Sequence, residues 1–383
     1  MPVLVTWRSL LSGPPSASDR LAPLPAVRVV DAGGMTQREW DDLAVRSPNG
    51  DALQSHAWGE LKRMTGWTPL RYLVEARERP IAVVSIQERP ALRRMPGPGH
   101  RWRILYAPRG PVLLGDASGS AAAAALSGLR DLARSTHALS MTIDPAWEEG
   151  SAAADALRGS GFGPAAREVQ VSRTAMIVPL EASEAAQRQH LGHTTYQDLD
   201  RAVQAGVKTE RVDLADPTAG EDALAEFYEM HAATGRRERF IVRDRDYELR
   251  QWRSLGETGV ADLWFAGLDR RDAGALLLHS GRNLVYFAAG SRDDADLRRS
   301  RANHLLQWRI IRWAAENGFN GYDMGGVDTQ AHPGVPGDPS HPLWNLFLFK
   351  RRFGGRPVIR VRAHEYSANP LLGAAWRSAR RFR

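Results

Sequence analysis

An α/β (α+β) chain of two similar units in tandem is the architecture this sequence predicts. Three observations predict it. From about Val27 onward, apolar residues follow strand-like alternation and helix-like spacing by turns. The two halves repeat one order of elements, helix, antiparallel strands, helix, strand, without repeating their residues. Finally, 383 residues with 43% hydrophobic content exceed what one core needs, so two domains are the default.

The elements run in order. "AVRVVDA" reads as a strand, and "TQREWDDLAVRS" as a helix with Thr36 as N-cap and Glu39 completing a capping box. "LRYLVEARERPIAVVSIQERP" reads as two strands with a tight turn around Arg79-Pro80, and "RWRILYAPRGPVLL" as a strand ending in a Pro/Gly turn. The Ala-rich stretch 120–135 is helical, "ALSMTIDP" is a strand, and "AADALRGSGF" is a short helix stopped by Gly. The second half opens with the strand "TAMIVPL" and a helical stretch ending at Gly206. Two further helices follow, then the strands "ADLWFAGL", "GALLLHSG" and "NLVYFAAGS", a long amphipathic helix, and the strand "GYDMGG". Three antiparallel strands, a helix and a further strand is the layout of the Gcn5-related N-acyltransferase fold, and two such units in tandem are expected. The expected boundaries are a disordered leader over 1–26, units over 27–170 and 171–355, and a segment 356–383 that returns to the first unit. The leader has a short apolar stretch broken by Arg8 and then Pro, Ser and Gly, which is not a signal peptide pattern.

Lys+Arg 51 against Asp+Glu 44 gives a formal charge of +7, mostly from Arg, with a pI near 10.0. That balance suits a polyanionic partner, whether RNA, a nucleotide-linked substrate or an anionic membrane surface; an Arg-rich proteome gives the same balance without one. With no cysteine, disulfides, thiolate metal sites and thiol nucleophiles are excluded. No apolar run approaches the roughly 20 residues that span a bilayer, and a cytoplasmic protein is expected.

Several familiar chemistries are missing. G-x-S-x-G, H-E-x-x-H and Walker loops do not occur. The turn "SRDDADLRRSRANH" before the long helix lacks the glycines that let backbone N–H groups cradle a coenzyme A pyrophosphate. His332 and His341 read as loop histidines, with no carboxylate at ligand spacing. In "GYDMGG", Asp323 fits a strand-exit turn. "LRRSRANH" offers Arg298, Arg299 and Arg301 at a helix start, either a solvated face or a phosphate site. The tail "WRSARRFR" suits RNA or anionic lipid as well as a frayed end. "LWNLFLFKRRFGG" (343–355) reads as a buried strand carrying Lys350. Either the lysine snorkels from the strand end, or something pairs with it or uses it.

These segments together resemble the Fem-type aminoacyltransferases, which build the interpeptide bridges of peptidoglycan. "LQSHAWGELKRMTGW" (53–67) resembles the family's Q-S-x-x-W-G-x-x-K segment and "YAPRGPVL" (106–113) its P-R-G-P turn. "TIDP", "GF" and "VQVSRTAMIVPL" match the junction of its two domains. "FYEMHAATGRRERFIVRDRDY" (227–247) resembles its F-Y-x-x-x-x-x-T-x-x-R segment. "RANHLLQWRIIRWAAENGFNGYDMGG" and "FLFKRRFGG" resemble its two most specific segments. The resemblance covers the chain from about residue 28. Asp198 and Asp200 stand where the family carries a basic stretch. The interval between Gly206 and Trp264 leaves room only for short helices and no long coiled-coil arm.

The resemblance implies that Phe349 and Lys350 lie at the active site and that Lys62 meets a precursor's phosphates, with Arg237 sharing the task. It also implies Tyr106 beside the precursor groove, with Arg109 and Tyr247 among the substrate-binding residues, and Asp323 as an amine-orienting group. The implied reaction is aminolysis of aminoacyl-tRNA by a stem-peptide amine of a lipid-linked or nucleotide-linked peptidoglycan precursor. It needs alignment and oxyanion stabilisation but no cofactor beyond the aminoacyl-tRNA donor. The expected partners are that tRNA, bound through Arg298, Arg299 and Arg301, the precursor, and the inner membrane surface. Two alternatives stand beside this reading: an N-acyltransferase taking acyl-CoA or another carrier, and a non-catalytic RNA- or envelope-binding module.

Overall fold

The computed structural model describes residues 26–91, 102–292 and 299–381. The expected leader up to residue 25, Arg298 and the side chains of the tail arginines lie outside the described residues.

The first unit begins with β1 (Val27–Asp31) and a helix, Gln37–Ala44. Thr36 caps that helix by accepting from the Glu39 N–H, and the Glu39 carboxylate accepts from the Thr36 N–H in return. A second helix, His56–Leu61, leads into β2 (Thr68–Ala76) and β3 (Arg79–Pro90). The hairpin turns at Arg77-Glu78, both left-handed with φ 52° and 61°, two residues before the expected Arg79-Pro80, which already belong to β3. Two consecutive positive φ values match the twist of the flanking strands, and that geometry took precedence over the Pro signal. Then come β4 (Arg103–Ala107), β5 (Val112–Leu113), the Ala-rich helix Gly119–Ser135, β6 (Ala138–Ile143), a short helix and β7 (Gly163–Pro164).

The second unit follows the same order. β8 (Thr174–Pro179) is followed by helices Glu184–Gln189 and His193–Gln204, β9 (Lys208–Val212), and helices Pro217–Glu238 and Arg245–Glu257. The first of that pair has 22 residues, longer than the short helices expected, and it packs along the sheet. The meander β10 (Ala261–Gly267), β11 (Ala273–Ser280) and β12 (Asn283–Ser291) feeds helix Ala302–Glu316 and β13 (Gly321–Gly326). Helix Trp344–Arg352, β14 (Arg356–Ile359), β15 (His364–Tyr366) and helix Pro370–Arg381 complete the chain.

The strands form two sheets, ordered β1-β2-β3-β4-β6-β15-β7, with β5 on β3, and β14-β8-β13-β12-β11-β10-β9. Each contains one parallel pair, β4 with β6 and β12 with β13, after the same helix crossover. After residue 356 the chain first adds β14 to the second sheet and only then crosses to the first as β15. One apolar core runs through both units: Trp40, Trp58, Leu73 and Val83 of the first pack with Phe227, Trp252, Leu263 and Phe265 of the second. A shared dry core of this kind holds two units as one body.

One expectation fails here. "LWNLFLFKRRFGG" is a helix, not a strand. A short continuous apolar run carries no reliable period, and tertiary packing chose i, i+3 burial of Phe347 and Lys350 over alternation. The helix stops at Gly354, whose φ of 87° is closed to other residues without strain.

Candidate active site

In the first unit the Q-S-x-x-W-G-x-x-K segment is local structure with a purpose at each position. Gln54 is fully buried; its amide donates to the Pro108 carbonyl at 2.6 Å and its oxygen accepts from Ser85 N–H at 2.6 Å, which pins the P-R-G-P turn. Ser55 caps the helix by accepting from Trp58 N–H. Four residues separate Trp58 from Lys62, one helical turn, so the ammonium sits over the indole, 4.1 Å from its centroid.

Lys62 Nζ donates to the Tyr247 hydroxyl at 2.6 Å, which brings together two residues that sequence reasoning assigned separately to substrate. Tyr247 belongs to the second unit, and Arg243 lies 5.2 Å from its ring. Burial, reinforced by Arg243, pushes the Lys62 ammonium down to about 8. The Trp58 ring also meets Phe287 of β12 edge-on, with centroids 6.2 Å apart. Two cations over aromatic faces, at the seam of the two units, suit a phosphate group presented by a ligand.

The second constellation lies where β12 and β13 part. They pair only over Asn283–Val285 and Gly321–Asp323, whereas β4 and β6 of the first unit pair along their whole length. The second unit is therefore the one with an open fork. Gly325, with φ 82°, sits in it; a β-carbon there would stand 3.5 Å from the Tyr286 carbonyl oxygen and 3.6 Å from Lys350 Nζ. Lys350 is 5% exposed and donates to the Gly326 carbonyl at 2.8 Å. Burial lowers its ammonium to about 8, with Asp323 opposing. Since Tyr286 borders the fork and Phe287 meets Trp58, consecutive residues of β12 join the two constellations.

Asp323 has both oxygens engaged. One accepts from Gly325 N–H at 2.7 Å and the other from Arg360 Nη2 at 2.6 Å. It thus holds the glycine turn against Lys350, the strand-exit role that its place in "GYDMGG" suggests beside the amine-orienting one. Arg360 directly follows β14 and, with Arg109, opposes the upward push that burial gives the Asp51 carboxyl. Arg109 in turn donates its backbone N–H to Asp144 at 2.7 Å. Tyr106 and Gln170 donate to the same carboxylate at 3.1 and 2.7 Å. Burial still pushes Asp144 up to about 6. Tyr106 and Arg109 are therefore brought together, around an acid that sequence reasoning missed although it lies within the quoted "TIDP" segment.

Phe349, next to Lys350, faces a different space. It lines a cleft of about 440 Å³ with Arg201, Arg301, His304 and Arg352. Its ring packs edge-on against His304 at 5.2 Å. Asp198, the acid standing in the family's basic stretch, pairs with Arg301 at 3.1 Å and with Arg201 at 3.3 Å. Arg301 thus joins Phe349, while Arg299, two residues earlier, is exposed. Arg237 donates to Ser291 Oγ at the end of β12 at 2.9 Å and pairs with Glu238. Among the described residues no cluster of His, Asp and Glu has a metal-binding arrangement, and no helix is long and apolar enough to cross a membrane.

The chain is similar to known proteins along most of its length. Residues 193–332 match the acetyltransferase (GNAT) domain family. A lipid II:glycine glycyltransferase of Staphylococcus haemolyticus (strain JCSC1435) is 24% identical over 415 residues, spanning 88% of this chain and 93% of the relative. One of Staphylococcus aureus (strain MRSA252) is 24% identical over 416 residues, with the same coverage of 88% and 93%. The crystal structure of FemX superposes with a TM-score of 0.74 at 21% identity, covering 91% of this chain and 100% of that one. The fold is accordingly the tandem of acyltransferase-like units that the order of elements predicts.

Proposed function

We propose that this chain, whose Fem-type resemblance those relatives bear out, is an aminoacyltransferase that adds an amino acid to the stem-peptide amine of a peptidoglycan precursor. The observation that carries the reading is the buried Lys350 ammonium at the open fork of the second unit, one strand residue away from the Lys62 site. Relatives named for glycyl transfer to lipid II support the precursor as acceptor. For the donor we infer aminoacyl-tRNA, supported by the arginine-lined cleft beside Phe349 and by the +7 charge.

In this reading the acceptor amine attacks the ester carbonyl in the fork. A C–N bond forms, and the carbonyl oxygen takes the negative charge. Collapse breaks the ester C–O bond; the ribose oxygen leaves with a proton, and the attacking nitrogen gives one up. Lys350, charged below about pH 8 and shielded from water, stabilises the oxyanion. Asp323 and Arg360 position the glycine turn that faces it. Lys62, Tyr247 and Arg243 hold the precursor's pyrophosphate, while Tyr106, Asp144 and Arg109 shape the groove beside it.

Lys62→Met is therefore expected to raise the KM for precursor by about tenfold or more with kcat little changed, because it removes binding that ground and transition states share. Steady-state kinetics with varied precursor checks this.

The reading is tested by transfer of labelled amino acids to a lipid-linked pentapeptide precursor, with purified protein, total tRNA and synthetases, with and without RNase. Transfer that RNase abolishes is the expected result, and the labelled product names the amino acid. Transfer from acyl-CoA instead sends the assignment to an N-acyltransferase of the same fold. No transfer to any acceptor overturns it.

A further inference from the structure

Between helices Pro217–Glu238 and Arg245–Glu257 the chain makes a short tip whose apex the proposed chemistry does not use. The apex is apolar and bare: Ile241 is 95% exposed and Phe240 42%. It is also held in place. Arg239 takes a left-handed conformation with φ 59°, and Phe240 N–H donates to the Gly235 carbonyl at 3.1 Å, which closes the first helix and turns the next residue outward. The Phe240 ring leans on His231 at 5.3 Å, and Tyr228 donates to the Arg243 carbonyl at 3.2 Å.

The flanks are basic, with five arginines against three acids over 236–246. The acids are largely committed. Glu238 pairs with Arg237, and Asp244 caps the following helix by accepting from Tyr247 N–H. Arg236, Arg239 and Arg243 flank the apex along the chain and are exposed. A bare isoleucine and a half-bare phenylalanine flanked by exposed cations match the interface of an anionic bilayer, where apolar side chains enter the headgroup boundary and guanidiniums meet lipid phosphates. The tip is also continuous with the substrate site, since Arg243 lies over the Tyr247 ring that receives Lys62.

We propose that the tip forms a membrane-docking spike: Phe240 and Ile241 enter the headgroup layer of an anionic membrane, and Arg236 and Arg239 pair with its phosphates. This sets the Lys62 site against the surface from which the pyrophosphate of a lipid-linked acceptor projects. The orientation rests on the proposed reading of that site; the docking itself does not.

The test is co-flotation of the full-length protein, without substrates, on vesicles of phosphatidylcholine and phosphatidylglycerol. Wild type is expected to float with them, less so as salt rises. Ile241→Asp is expected to lower binding by about tenfold or more. Because that side chain is almost wholly in solvent, the variant keeps its thermal midpoint and its transfer to a nucleotide-linked acceptor, while transfer to vesicle-embedded precursor falls. Failure of wild type to float, or equal flotation by Ile241→Asp, overturns the proposal. So does a loss of tRNA binding in Ile241→Asp with vesicle binding unchanged, which assigns the tip to RNA. Flotation needs no turnover, so its outcome stands whether or not the enzyme transfers an amino acid.

Discussion

Lys350→Met is expected to lower aminoacyl transfer by about 100- to 1000-fold, the loss that follows removal of one preorganised oxyanion donor. The same change is expected to make the fold more stable at pH 7. Unfolded, the lysine keeps its proton up to its ordinary 10.5; folded, only to about 8. Between those values the unfolded chain binds more protons, so stability rises with pH there, and below pH 8 the folded state carries the full cost of the buried charge. That gap corresponds to about 3 kcal/mol. Losing the bond to the Gly326 carbonyl returns about 1–2 kcal/mol of it. The net gain is about 1–2 kcal/mol, measurable by urea unfolding. An alkaline limb near pH 8 should also appear in the wild-type rate and stay in place when the acceptor amine is replaced by one of different basicity. Met at 350 with lowered stability, or with transfer intact, contradicts the role given to this lysine.

The second large effect belongs to the buried pair at the back of the fork. Asp323→Ala strands Arg360, whose side chain is 17% exposed beside an Asp323 side chain at 2%. Leaving one member of such a pair uncompensated costs about 3–5 kcal/mol. It also frees the Gly325 N–H, so the turn facing Lys350 loosens and kcat falls with stability. Replacing both partners, Asp323→Leu with Arg360→Met, is expected to restore most of the stability but not the rate, because the turn still lacks its acceptor. Had Asp323 acted directly on the amine, Asp323→Ala would abolish transfer with little effect on unfolding; urea titration beside single-turnover rates separates the two roles.

Much of the site was legible as sequence because its parts are local. Gln54, Ser55, Trp58 and Lys62 lie within nine residues, where helix geometry alone puts the last two on one face. The capping box at Thr36 and Glu39 formed as its spacing requires. A stronger signal is the composition. Of 51 basic residues three are lysines, Lys62, Lys208 and Lys350, and two of those are the cations that burial brings to about 8. A compact ammonium sheds its proton when buried as a guanidinium does not, which suits Lys62 and Lys350, whereas Lys208 is exposed. The misreading of 343–355 has an equally local cause. Eight residues rich in Leu, Trp and Phe fit either period, and only the surfaces that receive Phe347 and Lys350 decide between them.

By itself the sequence determined most of the elements, though not helix Trp344–Arg352, together with their repeated order and the two lysines around which the proposed chemistry turns, since each of these is written in spacing or in residue choice. The tertiary structure alone decided which unit opens. Nothing local to β12 or β13 says that they part after three residue pairs while β4 and β6 stay together. Nor does spacing foretell the partner of Asp323. Arg360 reaches it because β8 pairs with β13 on one side and with β14 on the other, placing residues 37 positions apart within a hydrogen bond. Pairing between strands is set by the packing of whole sheets, and its products are the features that one strand's sequence cannot encode.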